Sequence, residues 1–209
     1  MSNQIVPTKG NLLATKKSLA LSRTGFDLLD RKRNILIREM MALIGRAATI
    51  QDQIDNTYEE AYSALQKANI TLGISAELAL TVPLDNNLNV AYRSVMGVEI
   101  PMVSLDTVST PIPFGLNSTN IELDNAYIKF NDVKRLTAEL AEVENSVYRL
   151  ADAIKKTQRR ANALKNIMIP RFEQTVKMIT DALEEKDREE FSRLKVIKQQ
   201  KSNKQQDAS

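Results

Sequence analysis

An apolar repeat fills residues 136–183 and reads LTAELAEVENSVYRLADAIKKTQRRANALKNIMIPRFEQTVKMITDAL, with no glycine in it. Its seam positions recur at steps of three or four residues: Leu136, Leu140, Val143, Val147, Leu150, Ile154, Thr157, Ala161, Leu164, Met168, Phe172, Thr175, Ile179 and Leu183. That period is typical of a coiled-coil seam rather than of a helix on a globular core. A seam of this length needs an equally long partner.

A second seam nearer the N-terminus supplies that partner. Its positions are Leu12, Leu19, Phe26, Leu29, Leu36, Met40, Leu43, Ala47, Ile50, Ile54, Thr57, Ala61, Ala64 and Ala68. Two such helices in one chain bury their seams by lying against each other in opposite directions. The sequence therefore predicts an all-α fold, a long antiparallel two-helix coiled coil with a small irregular or β-hairpin insertion between the helices.

Four segments follow from this pattern. Residues 1–72 are predicted to form the N-terminal coiled-coil helix, with Thr8 as a cap at its start. Residues 73–120 hold four of the six prolines and form the connecting segment, residues 121–198 form the second coiled-coil helix, and residues 199–209 form a polar tail that we expect to fray.

The connecting segment contains two short β-favouring runs, residues 92–98 and residues 99–103. They predict a hairpin, and because two strands alone are marginal in water, the hairpin should lean on the helices or on a partner.

Three helix breakers lie inside the predicted helices. Gly25 and Gly45 interrupt the first helix, and either a close approach of the two helices or a local softening would explain them. Pro170 interrupts the second helix, where we expect a bend or a local change of packing.

The composition excludes most catalytic chemistry. The chain has no cysteine and no histidine, so thiolate chemistry and the commonest metal ligand and general base are missing. No P-loop is present, and the carboxylate pairs lie on predicted helix exteriors. We therefore predict a protein that is not an enzyme, with no catalytic residue, cofactor or metal site of its own.

The N-terminal residues lack the apolar core of a signal peptide, and no run of about 18 apolar residues exists to span a bilayer. The expected chain is soluble and cytoplasmic, without direct membrane insertion, although it is compatible with a place on a membrane complex.

Charge is segregated along the chain. Lys and Arg exceed Asp and Glu by six in residues 1–38 and again in residues 155–209, whereas acidic residues exceed basic ones by three in each of the blocks 39–72, 73–120 and 121–154. An antiparallel pair of helices would bring the two basic blocks to the same end. Because the basic run at residues 155–160 lies inside a helix and lacks interleaved aromatic residues, it does not favour nucleic-acid binding.

Several motifs resemble those of the D subunit of V-type and archaeal-type ATP synthases. They are Pro7-Thr8, residues 25–29 (GFDLL), residues 95–101 (VMGVEIP), residues 154–164 (IKKTQRRANAL) and residues 167–170 (IMIP). Together they extend from near the start of the chain to Pro170. Lys165 departs from the pattern, because an acidic residue is commoner there in that family.

This resemblance implies a mechanical role. In that family the protein is the central stalk, or rotor shaft, with its paired terminal helices inserted in the ring of catalytic A and B subunits. Its lower part binds the F subunit and rests on the subunit that links the stalk to the membrane ring. The resemblance implies a peripheral position on the cytoplasmic face of the membrane and coupling of ion transport, proton transport included, to ATP synthesis or hydrolysis.

Four residues are our expected contacts with the partner subunits, namely Lys155, Arg159, Arg160 and Pro170. The alternative function is a free-standing coiled-coil adaptor or scaffold. Co-purification with ATPase subunits would distinguish the two, because an adaptor would behave as a lone elongated species.

Overall fold

A computed structural model describes residues 6–73, 78, 80–82, 87–105, 115 and 119–206 of the chain, with side chains described as far as residue 200. The chain divides into two units, which we name the central unit (Lys32–Lys156) and the terminal unit (Met1–Arg31 with Thr157–Ser209). The elements in chain order are α1 (Lys9–Leu72), β1 (Leu88–Val95), β2 (Val98–Leu105), α2 (Ile121–Ala163), a π-helical turn (Leu164–Met168) and α3 (Ile169–Gln206). The remainder of the predicted connecting segment and residues 207–209 of the predicted tail lie outside the described residues.

The helix boundaries have identifiable local causes. The Thr8 hydroxyl accepts a hydrogen bond from the Asn11 backbone N–H at 3.2 Å, which confirms Thr8 as the predicted cap of the first helix. At the other end of α1, Gly73 has a φ of 77°, a left-handed conformation that glycine adopts without steric cost. Asn120 caps α2, because its Oδ1 accepts a hydrogen bond from the backbone N–H of Leu123 at 3.0 Å.

The core of the central unit is the predicted seam. Its buried cluster joins α1 to α2 and consists of Leu36, Leu43, Ile50, Ile54, Val143 and Leu150. Around that cluster pack half-buried seam residues such as Met40, Leu136 and Ile154. Burial of a large aliphatic side chain contributes about 1.5–3 kcal/mol, so this row of contacts is the main source of stability of the unit.

Polar pairs between α1 and α2 show the direction of the helices in the central unit. Arg46 pairs with Glu139, and Lys129 Nζ lies 2.5 Å from Glu60 Oε2. Since the residue numbers rise on one helix as they fall on the other, the helices are antiparallel. The hydrogen bond from Lys129 to Glu60 raises the pKa of that lysine above its ordinary value.

The terminal unit repeats this arrangement. Thr15, Ala161 and Ile179 are buried there, and Arg23 Nη2 lies 2.6 Å from Glu173 Oε1. The Thr15 hydroxyl donates to the carbonyl of Asn11 at 2.7 Å, so this buried polar group is satisfied inside its own helix. The antiparallel coiled coil predicted from the two seams is confirmed within each unit, and every seam position named from the sequence is buried or half-buried.

The hairpin lies in the central unit and is confirmed, although its turn differs from the prediction. The strands pair in antiparallel register, with Val95 opposite Val98, so the turn consists of Met96 and Gly97 rather than lying between residues 98 and 99. Both turn residues have positive φ, 52° and 76°, as a tight two-residue hairpin turn requires. Ile100 on β2 is buried, which shows that the hairpin is packed rather than isolated.

A π-helical turn precedes Pro170. The Ile169 backbone N–H donates to the carbonyl of Leu164, five residues earlier, instead of to the carbonyl four residues earlier. Proline has no N–H and its ring would clash with the carbonyl four residues before it in a regular α-helix. The wider turn is the local form that the backbone takes next to Pro170.

Helix α3 extends well past the end of the seam. It ends at Gln206 rather than near residue 198, so the second helical arm is longer than the sequence predicts. Every side chain from Glu184 to Gln200 is exposed. Ion pairs within the helix accompany this segment, including Arg188 with Glu185 at 3.1 Å.

Candidate interaction surfaces

The four residues predicted to contact partner subunits differ in exposure and in the element that carries them. Lys155 is an exposed residue of α2 in the central unit, whereas Arg159 and Arg160 are exposed residues of α2 in the terminal unit. Within the described residues neither arginine forms an ion pair. Both guanidinium groups are therefore available to a carboxylate or a carbonyl on another chain.

Pro170 differs from the other three because it is half-buried. It is the second residue of α3, directly after the π-helical turn. Its position suits a role in backbone geometry better than direct contact through an exposed side chain.

The residues around the π-helical turn contact α1 inside the terminal unit. The Lys165 ammonium lies 5.7 Å from the centre of the Phe26 ring, within the range of a cation–π interaction. A β-carbon added to Gly25 would lie 3.7 Å from Leu164 Cδ1, which is an ordinary van der Waals distance. Lys165, the departure from the family's motif, thus has a structural contact of its own.

The hairpin is held in the central unit by polar contacts with both helices. The Val103 backbone N–H donates to Glu142 Oε2 at 2.6 Å, and Arg149 Nη1 donates to the Glu99 carbonyl at 3.2 Å. The same guanidinium lies 5.3 Å from the centre of the Tyr92 ring. Arg93 Nη2 lies 3.3 Å from Glu39 Oε1 on α1, so the hairpin is fixed to α1 as well as to α2.

An open cleft of about 530 Å³ lies beside the hairpin in the central unit. It is lined mainly by apolar side chains, from Leu88 and Leu105 on the strands and from Phe130 and Val133 on α2, with Tyr58 on α1. The rings of Tyr58 and Tyr62 are stacked at 5.8 Å. No pattern in the sequence indicates this cleft, because its walls come from four elements that only the folded chain brings together.

Along the described residues no helix is both long and apolar enough to cross a membrane. No group of three or more acidic side chains is placed to hold a metal ion in that part of the chain. The arrangement of two coiled-coil units, a packed hairpin and exposed basic side chains defines a helical protein of the structural and interaction class.

Comparison with known proteins gives the family. The family model for the D subunit of ATP synthase matches residues 11–199. The chain is 46% identical over 197 residues to the V-type ATP synthase D subunit of Thermotoga neapolitana, an alignment that covers 93% of this chain and 97% of that protein. It is 37% identical over 199 residues to the A-type ATP synthase D subunit of Methanobrevibacter smithii (93% and 86%), and 35% identical over 200 residues to that of Pyrococcus horikoshii (93% and 94%).

The chain belongs to the D-subunit family of V-type and A-type ATP synthases. It is a central-stalk subunit of the rotary ATPase and not a catalytic one, because catalysis lies in the A and B subunits. The resemblance found in the sequence motifs is confirmed. It is a subunit of a membrane-associated ATP synthase complex.

Proposed function

We propose that this chain is the rotating shaft of its complex and transmits torque between the membrane ring and the catalytic hexamer. Ion flow turns the ring and the shaft with it, and the asymmetric surface of the shaft changes the catalytic interfaces in sequence. ATP hydrolysis drives the reverse rotation. The complex in this proposal lies on the cytoplasmic face of the membrane.

The observation that supports this proposal is the continuous burial of the seam within each unit. A shaft must resist twisting along its length, and interlocked apolar side chains between two antiparallel helices provide that resistance. The role needs no catalytic residue, in agreement with a sequence without cysteine or histidine.

The partners in this proposal are the A and B subunits around the terminal helices, the F subunit, and the subunit that links the stalk to the membrane ring. Arg159, Arg160 and Lys155 would supply contacts with the catalytic ring, since all three are exposed cations. Pro170 would act through the shape of the backbone that follows the π-helical turn.

A reconstituted complex that carries Arg159→Ala and Arg160→Ala tests the proposal. We expect ATP turnover and rotation rate to fall several-fold, because two charge-assisted contacts with the ring are lost. The matched control is Lys67→Ala with Arg135→Ala, which removes the same charge from exposed positions of the central unit. Unchanged turnover and rotation in the Arg159/Arg160 variant would remove these two residues from the interface, and failure of the chain to co-purify with ATPase subunits would overturn the proposed function itself.

A further inference from the structure

The two edges of the hairpin are unequal. In an antiparallel ladder, pairs of opposite residues that hydrogen-bond to each other alternate with pairs whose backbone N–H and C=O groups point away from the hairpin. Val95 and Val98 flank the two-residue turn, and their position fixes which pairs point away. On β2 these outward residues are Glu99, Pro101, Val103 and Leu105, and on β1 they are Leu88, Val90, Tyr92 and Ser94. The hydrogen bonds that Glu99 and Val103 make outside the ladder agree with this assignment.

Three features prevent the edge of β2 from pairing with a further strand. Glu142 accepts the outward N–H of Val103, Arg149 donates to the outward carbonyl of Glu99, and Pro101 has no N–H to offer. Side-chain caps and proline are ways in which proteins prevent a strand edge from pairing with another chain. No further strand can therefore add to this side of the hairpin.

The edge of β1 has no such side-chain hydrogen bond and no proline within the described residues. Within the described residues, the outward backbone groups of Leu88, Val90, Tyr92 and Ser94 have no hydrogen-bond partner, and β1 contains no proline and no lysine. Its one charged side chain, Arg93, is paired with Glu39. The unpaired N–H and C=O groups of this eight-residue strand edge can form hydrogen bonds with the backbone of another extended segment.

The side chains of β1 specify what such a segment should carry. Leu88, Val90 and Tyr92 lie on one face of the strand, and each is about half exposed: 51%, 49% and 58%. Leu88 also lines the apolar cleft. An added strand that brings apolar side chains to the same face would cover these residues by cross-strand contacts.

We propose that the free edge of β1 is an interaction surface that receives an extended segment of a neighbouring subunit, with apolar side chains at every second position. The segment adds as a third strand and hydrogen-bonds to the outward groups of Leu88, Val90, Tyr92 and Ser94. This proposal rests on the proposed function in one respect, because it places the neighbouring subunit in the assembled ATPase.

Hydrogen–deuterium exchange with single-residue resolution tests the proposal on the isolated chain and on the assembled complex. We expect the amides of Val90 and Tyr92 to exchange at least about tenfold more slowly in the complex. The amides of Ala91 and Arg93 point into the existing ladder and serve as internal references. Fast exchange of Val90 and Tyr92 in an assembled complex would overturn the proposal and leave the shaft function intact, whereas failure of assembly would count against the shaft function.

A variant pair separates backbone pairing from side-chain contact. Val90→Pro removes one outward N–H, and Pro101 on the opposite strand shows that this hairpin accepts proline at an outward position. Val90→Ala keeps the N–H and removes only the side chain. We expect the assembled Val90→Pro complex to lose protection at Tyr92, and the Val90→Ala complex to retain it.

Three other results would each overturn the proposal. Protection of Val90 and Tyr92 in the dilute isolated chain would show that another segment of the same chain covers the edge. Protection that grows with the concentration of the isolated chain would show that a second copy covers it. Equal protection at Tyr92 in the Val90→Pro and wild-type complexes would show that burial without strand pairing slows exchange. Fast exchange at Ala91 in the free Val90→Pro chain would show that proline disrupts the hairpin. In that case the proposal is tested by the exchange of Val90 and Tyr92 in the wild-type protein, compared between the isolated chain and the assembled complex.

Discussion

Gly45 and Gly97 show how differently two glycines act in the central unit. Gly45 lies inside α1, and a β-carbon added there would meet no atom within 4 Å. Of the two explanations offered for this glycine, close helix approach is therefore contradicted and local softening remains. Gly97 has a φ of 76° in the hairpin turn, where a side chain is strained even in open space. The first glycine weakens its element, whereas the second makes its element possible.

Alanine substitution at the two positions should therefore have opposite effects. We expect Gly45→Ala to raise the free energy of unfolding by up to about 1 kcal/mol, because alanine is a better helix former. Gly97→Ala should lower it by roughly 1–2 kcal/mol, because the left-handed conformation costs that much for a residue with a β-carbon. Denaturant titration of both variants measures the changes, and a loss of stability in Gly45→Ala would show that packing does constrain this position.

At the scale of the element, the π-helical turn and Pro170 depend on each other. A regular α-helix through this position would lack one hydrogen bond and bring the proline ring against a carbonyl. The Ile169 N–H to Leu164 carbonyl hydrogen bond is the alternative that the chain adopts. Such a turn changes the rotation of the side chains that follow it, and therefore the face that α3 presents.

Pro170→Ala should allow the turn to revert to a regular α-helix. We expect slower amide exchange across residues 166–169. We also expect a lower rotation rate in the assembled complex, because the side chains after the turn would change their angle about the helix axis. Ile167→Ala, an exposed residue of the same turn, is the matched control and should leave both quantities near wild type. If Pro170→Ala exchanges and rotates as the wild type does, the turn does not depend on the proline.

The elements were predictable to different degrees. The seam positions named from the sequence were predictable, because burial at Leu36, Leu150 or Ile179 follows from a period that adjacent turns of a helix already express. The repeat extends further than predicted, since Leu123, Ala126 and Val133 are also buried. The turn at Met96 was not, since a methionine with positive φ is uncommon and only the strand pairing fixes it. The anchoring of the hairpin by Glu142 and Arg149 depends on tertiary contacts that no local pattern encodes.

The exposure of the residues predicted to contact partner subunits was also predictable only in part. The exposure of Lys155, Arg159 and Arg160 followed from the seam, because residues off the seam of a coiled coil face outward. The half-burial of Pro170 and the open edge of β1 did not, because each depends on which neighbouring groups the fold brings near.

At the scale of the whole molecule, the two units should be separable by truncation. All the residues of the buried cluster in the central unit lie within Lys32–Lys156, so a chain that ends at Pro170 retains that core. We expect it to bind the F subunit largely as the full chain does and to lose much of the coupling between ATP turnover and ion transport. Pull-down with the F subunit and the ratio of ions moved to ATP hydrolysed measure the two properties.

A chain that ends at Gln200 is the control for this truncation, because it removes only residues of the predicted tail. It should bind the F subunit and couple like the full chain. Loss of the F subunit together with full coupling in the chain that ends at Pro170 would reverse our assignment of the two units to the two sets of partners.

The last part of α3 has an energetic consequence of its own. Beyond Leu183 no side chain as far as Gln200 is buried, so this helix gains nothing from the seam and relies on helix propensity and on pairs such as Glu185 with Arg188. Most of the stability of a helix in a protein comes from packing of its apolar face rather than from helix propensity. Yet Phe191 and Leu194 remain more than half exposed on it. Burial of these two side chains against a neighbouring subunit would add to the stability of the segment, so we expect its helicity to be higher in the assembled stalk than in the isolated chain.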